Sequence, residues 1–145
     1  MKHFAFLFFL VWSLATPLAA QTAYEIWFTA GAIKHHALIR PGETGGKWQM
    51  RVKYFDSGCQ CNRLIEQQLN AEETNLGTRL SGHGVRDVLN NRQARDYAPD
   101  RFYLYRDQQG NTWSRNLDEQ GISSGVVLKA LAAAQASGKM KEFGW

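Results

Sequence analysis

The sequence predicts a mainly β protein: a small antiparallel sheet or barrel of about six strands with one C-terminal helix, α+β by count. Three observations carry this. Residues 48–54 alternate apolar and polar side chains, the pattern of a strand with one dry and one wet face. Short runs of the same kind recur along the chain, separated by turn signals built from Gly, Asn, Asp and Ser. The final segment instead carries alanines and apolar residues at helical spacing.

The elements follow in order. Tyr24, Ile26 and Phe28 alternate with Glu25, Trp27 and Thr29, which reads as a strand ending at Gly31. Ile33, His35, Ala37 and Ile39 alternate more weakly with Lys34, His36, Leu38 and Arg40. "RPGETGG" is a loop. In "KWQMRVKYFD" Trp48, Met50, Val52 and Tyr54 share one face and Gln49, Arg51 and Lys53 the other. "DSG" signals a turn. "CQCNRLIEQQLN" favours a strand pairing back on 47–55, with a short helix as the alternative, since only Ile65 and Leu69 share a helical face. "AEETNLG" is a polar connection, and "TRLSGHGV" a short strand with a bulge at Gly82 or Gly84. "RDVLNNRQARDYAPD" is irregular. "RFYLYRDQQGNTWSRNLD" reads as a hairpin. The helix is expected near 124–137, capped by Ser123 or Ser124 and stopped at Gly138. Phe143 and Trp145 are expected to dock on the body. The layout is similar to that of small periplasmic β-barrels, an analogy of fold that carries no function.

Residues 1–20 have the layout of a secretory signal peptide: Lys2 and His3, an apolar stretch from Phe4 to Leu14, then Thr16, Pro17 and small residues. The stretch is shorter than the roughly 20 residues of a spanning helix, so no stable membrane anchor is expected. Residues 21–145 form a single β-rich domain of ordinary size. The expected location is periplasmic or secreted. Loss of Lys2 with the leader lowers the formal charge of +4 by one. The basic residues are scattered, which argues against nucleic acid as partner. The sequence sets no oligomeric state.

Cys59 and Cys61 are the only two cysteines, and exported cysteines usually pair. On a straight strand their Cα atoms would stand roughly 6.5 Å apart at a rise of about 3.3 Å per residue. That is near the upper limit for a disulfide, so a bond needs a turn at Gln60. The alternatives are free or intermolecular thiols, and a soft metal ion held by Cys59, Cys61 and a histidine, with His35 the first candidate beside His36 and His83. No nucleophile elbow, zinc-protease, phosphate-loop or dinucleotide motif occurs, so no cofactor is implied and enzymatic activity has the least support. Aromatic residues are abundant. Tyr103, Tyr105 and Trp113 are the candidate ligand-binding set: either Phe102 and Leu104 face the core and Tyr103 and Tyr105 face outward, or the reverse, and an exposed pair of rings offers a binding surface. The expected function is a non-enzymatic binding module using an aromatic surface or barrel mouth, its partner a small ligand or an envelope or secreted protein. The alternative is a metal-binding or redox-responsive protein centred on the Cys-x-Cys pair.

Overall fold

The computed structural model describes residues 23–42, 47–75, 77–109, 111–117 and 123–145. The leader assigned to residues 1–20 lies outside the described residues. The strands are β1 (Ala23–Ala30), β2 (Ile33–Pro41), β3 (Trp48–Asp56), β4 (Cys61–Thr74), β5 (Gly77–Asp87), β6 (Arg92–Gln93), β7 (Arg101–Arg106), β8 (Thr112–Leu117) and β9 (Ser123–Leu131), followed by the helix α1 (Ala133–Glu142). Eight of the strands form a closed antiparallel barrel in which each pairs with the next and β9 returns to β1; β6 is a short addition to β5. Closure leaves the barrel no open edge.

Strand pairing places inward-facing residues in rows. Leu128, Ile26, Ala37, Val52 and Ile65 lie side by side across five strands. One row lower, Tyr24, Ile39, Met50 and Gln67 do the same. The row above is more polar, running Phe28, His35, Tyr54, Arg63. Ile26, Ala37, Ile39, Met50, Val52, Ile65, Leu80 and Phe102 have no exposed surface. Burying a large aliphatic or aromatic side chain contributes about 1.5–3 kcal/mol, so the period-two pattern read from the sequence is the main source of stability. Outward positions on β3, β4 and β5 carry Arg51, Lys53, Glu66 and Arg79. Among the described residues no helix is long and apolar enough to cross a membrane.

Two sequence expectations change and one alternative falls. About six strands become eight in the barrel, plus β6. Residues 61–74 are strand throughout, which removes the short-helix alternative. The helix expected near 124–137 begins only at Ala133, and 123–131 is β9. Val126 and Leu128 pack on the core while Val127 points out. Pairing β9 with both β8 and β1 closes the barrel, and that outweighs the modest helix propensity of Ala and Leu.

Gly138 does not stop the helix; Gly144 does. Its φ of 77° is readily adopted by glycine. Trp145 N donates to Met140 O and Gly144 N to Lys141 O, the bond pair of a Schellman C-cap. The chain thereby turns back and lays Phe143 and Trp145 on the outer wall. A second core forms there from Ala23, Leu38, Leu64, Leu131, Ala136 and Phe143.

Segment 94–100 fills one end of the barrel. Ala94 is buried in the main core and Tyr97 packs against it. Ala94 N donates to Val85 O, Gly82 N to Asp100 O, and Asp100 N to Gln67 Oε1. Gly82 is required here because a Cβ would overlap the Gln67 side chain.

Candidate functional site

β7 and β8 pair with Tyr103 opposite Arg115 and Tyr105 opposite Trp113. Phe102 is fully buried and Leu104 packs on the core. Alternation therefore turns Tyr103 and Tyr105 outward. Tyr103 and Tyr105 stack with ring centres 5.8 Å apart, and Tyr105 and Trp113 at 4.0 Å. The structure thus brings together the three aromatics singled out from sequence. Arg115 lies 5.5 Å from the Trp113 ring centre, within cation–π range. Arg79 bonds Glu72.

The row continues beyond the hairpin. Ser114 pairs with Val126, so antiparallel register sets Trp113 beside Val127. Val127 in turn pairs with Trp27, and Trp27 with His36. Tyr105, Trp113, Val127 and Trp27 therefore form one apolar stripe around the outside of four strands. Val127 is 66% exposed and Trp113 44%. Trp27 was legible as the apolar residue on the polar phase of β1. Val127 was not, because its segment was assigned to a helix. The stripe ends where Trp27 stacks on His36 at 5.1 Å and His36 meets the edge of Phe143 at 5.0 Å.

Ring orientation limits what such a stripe suits. Flat sugar rings need an open aromatic face. The face of Tyr105 turned to Trp113 is occupied, and Arg115 is drawn to the Trp113 ring. The array combines Tyr, Trp and Arg, residue types enriched at protein–protein contacts.

The cysteines resolve differently from the metal expectation. Residues 57–60 form a turn, Gln60 adopts φ 53°, and Cys59 and Cys61 are disulfide-bonded with Cα atoms 5.2 Å apart. The bend required for a bond is present. Gly58 N donates to Asp56 Oδ1 and Gln60 Nε2 to Ser57 O, both at 2.8 Å, which fixes the turn. The proposed set of Cys59, Cys61 and His35 is not assembled. Both sulfurs are consumed by the bond, and His35 is buried inside the barrel, stacked on Phe28 at 4.8 Å with Tyr54 at 4.9 Å. Its Nδ1 donates to Ile33 O. His36 bonds Glu25 on the outer wall at 2.7 Å, and exposed His83 meets Asn70. Among the described residues no group of three potential ligands converges.

The polar residues at the plugged end form two clusters that sequence reasoning missed. Arg63 pairs with Asp96 at 3.0 Å, Asp87 at 3.1 Å and Asp56 at 3.2 Å. Burial alone would raise the fully buried Asp87 carboxyl; bonds from Asn90 and the Arg63 charge outweigh it and hold it below the usual range. The bond from Arg63 likewise lowers Asp96. In the second cluster Asp100 Oδ2 accepts from Gln67 Nε2 at 2.6 Å and Tyr97 Oη at 2.8 Å. Burial nevertheless pushes the Asp100 carboxyl up to about 6. Burial also lowers His35, which favours its neutral form. Both clusters bind the plug to the barrel. Signals in the sequence, such as Arg63 inside an apolar strand face, were visible, but their partners lie up to 33 residues away. Compared with known proteins, the chain matches no family model, no curated protein and no solved structure.

Proposed function

We propose that the chain is an exported binding module that engages another envelope or secreted protein through the outer stripe of β7, β8, β9 and β1. The observation that carries this is the row Tyr105, Trp113, Val127, Trp27, with two of its members strongly exposed. Contiguous exposed apolar surface on a folded domain marks interaction sites, and Trp, Tyr and Arg supply most binding hot spots. The barrel mouth is the weaker alternative, since segment 94–100 packs into one end.

A photo-crosslinking amino acid placed at position 113 or 127, in the cells that make the protein, tests this. A discrete protein adduct is expected from both positions and from neither Asn70 nor Arg86, which are exposed on β4 and β5, outside the stripe. Equal adducts from the control positions, or none from 113 and 127, would reject the reading. Once the partner is in hand, Trp113→Ser should weaken affinity by about 2 kcal/mol, roughly thirtyfold, in a titration of the purified pair.

A further inference from the structure

The tip of the β3–β4 hairpin offers a second, separate chemistry. Cys59 is exposed and Cys61 half-buried, so one sulfur of the bond is the more open to an incoming nucleophile. The two cysteines are separated by a single residue. In the chain-entropy account a bond closing so short a loop adds little stability. Neither hydrophobic core contains either cysteine. Exposed disulfides are the labile ones, and structural disulfides the buried ones.

A hollow of about 530 Å³ opens beside this tip. Phe55, one register step from the Asp56–Cys61 pair, is 51% exposed on its rim, and Leu89 is 60% exposed. Leu64 and Phe143, both buried, line its base. Lys53 and Lys141 line it too. Lys53 is engaged by Glu142, whereas Lys141 has no ion-pair partner among the described residues. Exposed apolar surface next to a cystine, with a free cation near, suits a peptide thiolate better than a small polar thiol.

We infer that the Cys59–Cys61 bond is a thiol–disulfide exchange site whose substrate is a cysteine-bearing peptide segment with apolar neighbours. The peptide thiolate attacks Cys59 Sγ. A peptide–Cys59 disulfide forms, the Cys59–Cys61 bond breaks, and Cys61 leaves as a thiolate that takes up a proton. A second peptide thiolate attacks the peptide sulfur of the mixed disulfide and releases Cys59 as a thiolate, which is protonated in turn. The peptide is oxidised to a disulfide, and the protein gains two electrons and two protons. A low-molecular-weight disulfide of the glutathione type, by the reverse exchange, restores the cystine.

The test uses the whole purified protein and synthetic peptides that contain two cysteines, flanked by Leu and Phe in one and by Ser and Gly in the other. Acid quenching, thiol alkylation and intact mass follow the cystine. The folded protein should become doubly alkylated, with its thermal transition little changed. The apolar peptide should react about tenfold faster, the equivalent of roughly 1.4 kcal/mol, and Leu89→Ser should bring that ratio towards one. In catalytic amounts with oxidised glutathione, the protein should speed peptide oxidation, and Cys59→Ser/Cys61→Ser should not. Among single variants, Cys59 in Cys61→Ser should exchange with a peptide–glutathione disulfide faster than Cys61 in Cys59→Ser. A cystine that opens only when the protein unfolds would overturn the inference. So would equal rates for the two peptides, or peptide oxidation no faster than with the double serine variant.

Discussion

Asp100 and His35 sit at the same end of the barrel and respond to pH in opposite senses. Asp100 has a folded-state pKa of about 6 against an ordinary 3.8. Its proton is held more tightly folded than unfolded, so its contribution is complete below about pH 4 and is lost as pH rises through about 6. His35 is depressed by burial from 6.5. Its contribution is complete above about pH 6.5 and is lost as pH falls below that. Thermal melts across pH 4–8 should therefore show two partly cancelling trends. Asp100→Asn keeps an acceptor for Tyr97 and Gln67 without the charge. It should stabilise the protein at pH 8 by about 3 kcal/mol and remove the loss between pH 4 and 7. His35→Phe should keep the stack on Phe28 and shrink the loss on the acid side. Arg63 makes a different point. Asp87 has no exposed surface, so Arg63→Met leaves a buried charge with its main counterion gone. Denaturant titration should show a loss of about 3–5 kcal/mol, much of it recovered by adding Asp87→Leu.

At the scale of elements, α1 and its tail are held by position more than by propensity. The helix has ten residues, and its N-cap, Ala132, makes no side-chain bond. An isolated helix this short is marginal. What holds it is the wall beneath. Phe143 is fully buried. Lys139 pairs with Glu25 at 3.0 Å and with Glu142 at 2.9 Å. Arg51 donates to Phe143 O at 2.9 Å. Trp145 lies under two guanidiniums, Arg40 at 4.1 Å and Arg51 at 4.9 Å. Phe143→Ala should cost about 3–5 kcal/mol in chemical denaturation. Trp145→Ala should cost less and change the fluorescence of the folded state, because it removes one half-buried indole.

Across the whole molecule, the parts legible in the sequence were those with local causes. The 48–54 alternation gave β3 and its dry face, and "RFYLYRDQQGNTW" gave a hairpin whose inward phase, apolar on both sides, only the structure decides: Phe102 faces the core. Docking of Phe143 and Trp145 followed from two aromatics at a chain end. What was missed depended on distant partners. Val126 to Leu131 is strand only because β8 and β1 flank it. Helix and strand both suit a run of Val, Leu and Ala until the neighbours are known. Misassigning that run hid Val127 and with it the continuity of the outer stripe. The Arg63–Asp87–Asp96 cluster and the Gln67–Asp100 pair likewise join strands to a plug that read as an irregular loop.

The β1–β9 pairing carries one more consequence, for the order in which the chain folds and for what happens when it fails. Trp27 meets Val127 about 100 residues on, whereas neighbouring strands meet across short turns, and such distant contacts are costly to form early. Hairpins can assemble one after another, but the ring shuts only when the last strand arrives. Ala23 pairs with Leu131 at the foot of this joint, and both pack in the core that α1 covers with Ala136 and Phe143. Until then β1 and β9 present unpaired backbone, a template for a strand from another molecule. A chain ending at Leu131 should keep its hairpins, leave the joint unclamped and self-associate. Size-exclusion chromatography would show it as dimers and larger species where the full chain elutes as a smaller one.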